Sequence, residues 1–402
     1  MAVVYPNTYH VGMSNLGLHN IYRILNAEPD IVCERSFLPD NIAEHKRTKT
    51  GVLSIESMRP LRDFDVLAFS VSFENDFKNL KTILELSDIP ILPSTRGGPF
   101  PRLVVGGPAV NLNPRPFEDI FDVISTHNAE TDIWDAIGHE SPGMGMQTPS
   151  RTVIWTEDTE FGSMHLVELQ RGCPHRCKFC AAPIIYQPFI QFKKDAVIEA
   201  IDFGLPYRKK FGLVGGDVLA HPGFEEIAEY IHSKGATFSP SSVRADRITD
   251  RIAGLLKQSG HKTVTLAPET GTERLRIGIG KNITDEKYLS AAETLARHGI
   301  LQVKLYFMIG LPGETDADLK TIIDLSKAIG ATGIRKVSIA VNPFVPKKRT
   351  SFENEPFAGE KELKRKIALL KREASRLKGA VLKFESPLTA LREHEFQLGV
   401  LS

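Results

Sequence analysis

Along the first 140 residues, short apolar runs alternate with stretches whose apolar positions recur at helical spacing. Residues 2–5 (AVVY) read as a strand, and residues 14–25 as a helix behind a Ser14 cap. Residues 65–72 (DVLAFSVS) are apolar on both faces, as a central parallel strand would be, and 77–86 read as the helix that follows. Further strands are expected at 102–105, ended by Gly106-Gly107-Pro108, and at 121–125. Strand–helix alternation of this kind predicts an α/β fold with an open, Rossmann-like parallel sheet. Ligands of such sheets bind beyond the carboxyl ends of the strands.

Residues 141–163 are rich in Gly, Pro, Ser and Thr and read as a linker between a first domain, 1–140, and a second, 164–345. Alternation resumes in the second domain. Strands are expected at 165–169, 210–214, 236–239, 263–267, 302–309 and 336–341, with helices such as 223–234 and 316–329 between them. Six βα units are too few for an eight-stranded barrel, so a partial (β/α)6 barrel is expected. Residues 346–402 read as a C-terminal helical extension. Its main helix, 360–378, has a stripe of Leu363, Ile367, Leu370, Ala374 and Leu377 docked on the barrel and a solvated basic face.

Composition sharpens this picture by exclusion. A chain of 402 residues, 42% hydrophobic and 25% charged, can bury two cores and is neither disordered nor a disulfide scaffold. Fifty basic residues against 49 acidic ones leave a formal charge of +1, so no whole-chain field draws it to nucleic acid, which is not an expected partner. No apolar run approaches the roughly 20 residues that span a bilayer. The opening MAVVYPNTYH lacks a signal-peptide pattern, so a cytoplasmic protein without a membrane partner is the expectation.

The candidate chemistry lies in the cysteines. Cys33 stands alone in the 31–35 stretch and reads as a small buried hydrophobe. Cys173, Cys177 and Cys180 follow a strand in the segment Arg171-Gly-Cys173-Pro-His-Arg-Cys177-Lys-Phe-Cys180. Three thiolates on one loop can hold three irons of a cubane [4Fe-4S] cluster and leave the fourth iron open. A structural zinc site wants a fourth ligand, and His175 is poorly spaced to supply it.

The C-x3-C-x2-C spacing, with Phe179 before its last cysteine, resembles the signature of the radical SAM superfamily. The resemblance implies that the open iron chelates S-adenosylmethionine and that an external electron donor reduces the cluster. Cleavage of the sulfonium then gives a 5′-deoxyadenosyl radical able to break an unactivated C–H bond. It also implies a binding surface at successive strand ends. Gly215, Gly216 and Asp217 stand where the family has a GGE-like motif, with Asp in place of Glu. Ser242 and Arg244, then Glu269, then Ile309 follow on later strands. Arg244 would fork onto the methionine carboxylate.

The first domain resembles the cobalamin-binding domain that precedes some radical SAM barrels. The resemblance rests on Asn7, Tyr9, His10, Gly12, Met13, Ser14 and Asn15, on Ser70 and Ser72, and on Gly106, Gly107 and Pro108. These would line the nucleotide tail of cobalamin. The D-x-H-x-x-G motif that brings an axial histidine to cobalt is absent, and His10 lacks a carboxylate beside it in sequence, so it is not expected to ligate. Together the two resemblances imply a methylcobalamin-dependent C-methyltransferase acting on an sp3 carbon. Enzymes of this size and class include one that methylates a glutamine of methyl-coenzyme M reductase, which implies a protein or peptide acceptor. Rival readings are a methylthiotransferase or another radical SAM enzyme that modifies RNA or ribosomal protein with a degenerate cobalamin domain, a cobalamin- or cluster-binding sensor, and a zinc-stabilised RNA-binding module. Methylthiotransferases carry three further cysteines in their first domain, where this chain has only Cys33.

Overall fold

The computed structural model describes residues 1–141, 148–375 and 381–400. Strands β1 (Ala2–Tyr5), β2 (Glu34–Phe37), β3 (Val66–Ser70), β4 (Arg102–Gly106) and β5 (Val123–Ile124) form one parallel sheet in the order β2-β1-β3-β4-β5. Period-two alternation sends Val4, Leu67 and Phe69 to one face and Val3, Tyr5 and Ala68 to the other, and each face has its own core. The strand order reverses between β1 and β3, which puts the binding crevice of a doubly wound sheet at their carboxyl ends.

Local details differ from the sequence reading. The first long helix is Leu16–Leu25, and its cap is Asn15, whose side chain accepts from the Leu18 amide. Ser14 instead donates to the His10 carbonyl and accepts from the Glu160 amide, since it sits one residue too early to reach the helix amides. Cys33 lies just before β2 and is buried, where loss of water pushes its thiol up to about 12.

The second domain contains β6 (His165–Glu168), a short antiparallel pair β7 (Gln170–Arg171) and β8 (Ile190–Gln191), then β9 (Lys210–Val214) and β10 (Thr237–Pro240). It continues with β11 (Thr263–Glu269), β12 (Gln302–Ile309), β13 (Lys336–Pro343) and β14 (Val381–Phe384). Two parallel sheets, β10-β9-β6 and β11-β12-β13-β14, share one core that includes Phe211, Phe238, Leu305 and Ile339. The partial barrel thus gains a seventh parallel strand, β14, from the segment expected to be purely helical.

The long tail helix is Gly359–Ala374, and Leu377 of the expected stripe lies outside the described residues. Much of its basic face is neutralised. Lys366 is buried against Glu314 at 2.6 Å, and Arg365 meets both Asp316 and Glu362. Among the described residues no helix is long and apolar enough to cross a membrane.

Two straps tie the domains. Behind the linker, Thr152 donates from its amide to the Leu166 carbonyl on β6, and the Val153 amide reaches His19 Nδ1 in the first domain. From the other end, the helix Pro387–Leu398 returns to the first domain. There Phe396 wedges against Phe77 and Phe117, and Lys347 bridges Glu74 and Glu393. Phe396→Ala should cost about 3–5 kcal/mol of first-domain stability by leaving a cavity between two rings. Denaturant unfolding checks this, and a loss below about 1 kcal/mol would mean the strap is not part of that core.

Candidate active site

The three cysteines occupy the loop that follows β7, and the positioning of that loop depends on close backbone approach. A Cβ on Gly216 would lie 2.5 Å from the Gly172 carbonyl oxygen and 2.8 Å from Cys173 Cβ, so only glycine lets the β9 turn pass beneath the cysteine loop. Cys173, Cys177 and Cys180 line a cavity of about 400 Å³ with Phe179, Gly216, Ser242, Arg244 and Glu269. Burial pushes the Cys180 thiol up to about 11 and raises Cys173 and Cys177 in the same direction. Among the described residues no three His, Cys, Asp or Glu side chains converge tightly enough to hold a single metal ion. His175 is engaged elsewhere, with Nε2 2.7 Å from Asp217 Oδ2.

Three expected contacts take a different form. Asp217 does not line the cavity. Its carboxylate is buried behind the cysteine loop, one oxygen on His175 and the other, Oδ1, without a partner. Ile309 points outward into the barrel core because β12 alternates, and its side chain is fully buried there. Arg244 does line the cavity, but its guanidinium is held side-on by Asp246 at 3.0 and 3.1 Å. Glu269 sits in the left-handed region (φ 67°) at a register shift in β11, where Lys281 donates to it at 2.7 Å. Backbone strain at such a position is costly and is typical of functional turns.

A second cavity, about 710 Å³, opens where the carboxyl ends of β3 and β4 face those of β6 and β9. Ser14, Asn15, Ser70, Gly106, Gly107 and Pro108 line it, as does Gly215, which falls here and not in the cysteine cavity. Asn111 lines it as well, and its buried Oδ1 has no partner. The two cavities share Gly216, Ser239, Pro240 and Ser241 as a common wall.

The other residues expected around this ligand lie outside the cavity. Asn7 donates to Asp76, Tyr9 packs edge-on against Phe37, and Met13 is in the core. Gly12 faces Phe37, whose ring atoms lie 2.4 Å from where its Cβ would be. Ser72 accepts from the Asn15 carboxamide at 3.0 Å and so supports the lining from behind. His10 does have carboxylate partners, contrary to the sequence reading, because the linker supplies them. Asp158 lies 2.7 Å from Nδ1 and Glu160 3.5 Å from Nε2, which occupies both ring nitrogens away from the cavity.

Comparison with known proteins places this architecture. A family profile described as the radical SAM superfamily matches residues 167–326, and one described as radical SAM proteins, N-terminal, matches residues 17–141. An uncharacterized protein of Methanocaldococcus jannaschii is 31% identical over 94% of this chain and 84% of its own length. The chain belongs to the radical SAM superfamily. A tRNA-2-methylthio-N(6)-dimethylallyladenosine synthase of Chromobacterium violaceum is 28% identical over 41% of this chain, which spans only 40% of that enzyme.

Among solved radical SAM structures, the methyltransferase TsrM of Kitasatospora setae, with cobalamin and a [4Fe-4S] cluster, superposes with a TM-score of 0.61. The identity is 13%, over 87% of this chain and 76% of that one. OxsB, a cobalamin-dependent radical enzyme with aqua-cobalamin and S-adenosylmethionine, gives 0.57 at 12% identity, over 100% of this chain and 61% of that one. At such identities the likeness is one of fold.

Several residues that line the two cavities carry no local sequence signal. Lys281 on a loop, Tyr306 on β12 and Asn111 on a short helix acquire their places only when the sheets close. The Gly106-Gly107 pair also divides. Gly107 has φ 111° and a Cβ would sit 2.6 Å from the Val71 carbonyl oxygen, whereas one on Gly106 first meets Ser125 at 3.4 Å. Gly107→Ala should therefore lose about 1–3 kcal/mol, while Gly106→Ala should unfold at nearly the wild-type temperature. Equal losses would show the distinction to be wrong.

Asp76, beneath Asn7, is raised to about 6 by burial and by Glu74. The folded chain then binds this proton more tightly than the unfolded one, so stability falls as pH rises from about 4 to 6. Asp76→Asn should remove that dependence and gain up to about 3 kcal/mol at neutral pH. Thermal melts across this range read it directly, and an unchanged slope would exclude Asp76 as its source.

Proposed function

We propose that the chain is a cobalamin-dependent radical SAM C-methyltransferase that methylates an sp3 carbon of a protein or peptide, such as a glutamine of methyl-coenzyme M reductase. The observation that carries this reading is the wall shared by the two cavities. A ligand beyond the carboxyl ends of the first sheet and one beside the cysteine loop would face the same space across Gly216 and Ser239–Ser241.

The residues present fit such ligands. Cys173, Cys177 and Cys180 would hold a [4Fe-4S] cluster, and their separation on one loop suits the corners of a cubane better than a single ion. Arg244 and Glu269 offer a cation and an anion at one end of the same cavity, suited to the carboxylate and amino groups of S-adenosylmethionine. Asn15 and Ser70, which line the larger cavity, would hydrogen-bond the amides of cobalamin. When bound, these groups supply hydrogen abstraction from an unactivated carbon and a methyl group to replace it.

The protein's own part is positioning and exclusion. Gly216 lets the cysteine loop approach the shared wall, Ser241 and Ser242 donate to the Gly215 carbonyl to fix that turn, and Arg171 pins the loop's base. His10, with both nitrogens facing carboxylates outside the larger cavity, would not be placed to ligate a cobalamin bound there.

A second reading, methylthiolation of tRNA, is favoured by the partial likeness to the Chromobacterium enzyme. Against it, the first domain offers only Cys33, buried and with its thiol pushed up to about 12, so it has no ligands for a second cluster. Reconstituted protein incubated with methyl-labelled S-adenosylmethionine and glutamine-containing peptides should yield labelled peptide. No label in any peptide, with label in tRNA, would overturn the reading.

Replacing Cys173, Cys177 and Cys180 together by Ala should abolish iron, sulfide and S-adenosylmethionine cleavage while cobalamin retention persists, because the two cavities have separate linings apart from their wall. Gly106→Val, which puts methyl groups into the larger cavity, should show the reverse pattern. Absorbance and iron analysis separate the two outcomes, and cleavage retained in the triple variant would refute the ligand assignment.

A further inference from the structure

The interior of the barrel is unusually polar along its second sheet. On β12 the outward residues Val303, Leu305, Phe307 and Ile309 fill the core, so the alternate set, Gln302, Lys304, Tyr306 and Met308, faces the lumen. Register places Thr265 and Ser338 on either side of Lys304, and Ala340 beside Tyr306. Complete (β/α)8 barrels fill this space with bulky branched side chains. Here Lys304 stands in it, beside Tyr306.

That lysine has no counter-ion. Lys304 Nζ donates to Tyr306 Oη at 2.7 Å and lies 4.5 Å from the ring centroid, both neutral partners. Among the described residues no carboxylate comes within ion-pair distance of it. The other recessed lysines differ: Lys281 meets Glu269, Lys347 meets Glu74 and Glu393, and Lys366 meets Glu314. Lys383 on the edge strand β14, likewise without an ion pair among the described residues, flanks Ala340 from the far side and is exposed. Tyr306 lines the cavity that holds the three cysteines.

We propose that Lys304 and Tyr306 form an oxyanion subsite that selects an acceptor bearing a carboxylate close to its reacting carbon. This rests on the function proposed above in taking the lumen as the site of a protein or peptide acceptor, and it narrows that acceptor to one with an acidic side chain in place of the glutamine given there as an example. A part-buried ammonium without a counter-ion is left with an incompletely compensated desolvation cost, and an entering anion offsets it. Lysine supplies the point charge. The tyrosine hydroxyl, already accepting from Nζ, keeps its own proton to donate to the second oxygen. The two donors together orient a carboxylate at the lower end of the cavity, with the rest of the acceptor extending toward the cysteine loop.

The test is calorimetric titration of cluster-reconstituted protein with two probes, succinate and inorganic phosphate. Wild type should bind succinate, Lys304→Gln should bind it at least about tenfold more weakly, and Tyr306→Phe should be intermediate. Lys304→Arg should restore binding, which a purely structural role for the side chain would not predict. Unchanged iron content in each variant shows that the barrel is intact. Binding of phosphate alone overturns the carboxylate assignment, and equal binding by wild type and Lys304→Gln, or by neither, overturns the subsite. If succinate binding depends on Lys304 while no peptide is ever methylated, the proposed function fails and the subsite stands.

Discussion

Arg171 lies two residues before the first cysteine of the loop, and its buried guanidinium is the point at which the two domains are held edge to edge. It donates to Glu130 of the first domain at 2.5 Å, to Glu168 on β6 at 2.8 and 2.9 Å, and to Ser150 of the linker at 3.0 Å. A buried cation shared by two carboxylates is stable only while both remain in place, since removing either leaves an uncompensated charge in a low-dielectric setting. The carboxyl ends of both sheets are therefore kept face to face, and the larger cavity exists because of it. Glu130 also accepts from Asn20 at the floor of that cavity. A residue that docks the domains thus also fixes the base of the cysteine loop, and together with the two straps it sets the spacing of the two candidate ligand sites.

Where the chain's chemistry is local, it was legible. The cysteine spacing, the strand-end glycines and the doubly wound alternation all depend on residues a few positions apart, and the superfamily follows from them. Gly216 shows how: a glycine after a strand signals close approach, and the structure supplies the object approached, the Gly172–Cys173 backbone. What stayed hidden depends on closure over long separations. Asp158 and Glu160 meet His10 across roughly 150 positions, and no local pattern links them. Strand β14, VLKF, alternates exposed and half-buried positions, but four residues beyond a charged helix are too few for that alternation to stand out. Tyr9, Gly12 and Met13 belong to a motif that reads as a binding loop, yet their side chains pack into the protein, because small and aromatic residues serve close packing as well as ligands.

The two sheets of the barrel divide the work. The β10-β9-β6 sheet turns small residues, Gly212 and Ser239, toward the shared wall, while β11-β12-β13-β14 carries the polar lumen of Thr265, Lys304, Tyr306 and Ser338. A space bounded by cysteines at one end, an unpaired cation at the other and a second ligand cavity at the side suits a reaction on a carbon with no acidic proton. Such a reaction requires orientation of the acceptor and exclusion of water more than it requires a general base.

The central proposal is that this chain would hold a cluster and a corrin on opposite sides of a single wall. The direct measurement is the paramagnetic relaxation of cobalt(II) in protein loaded with both cofactors, recorded with the cluster oxidised and then reduced. Proximity across Gly216 and Ser239–Ser241 predicts that reducing the cluster accelerates cobalt relaxation, and that the triple cysteine-to-alanine variant shows no such change. Cobalt relaxation indifferent to cluster reduction in the wild-type protein, with both cofactors present, would contradict the account.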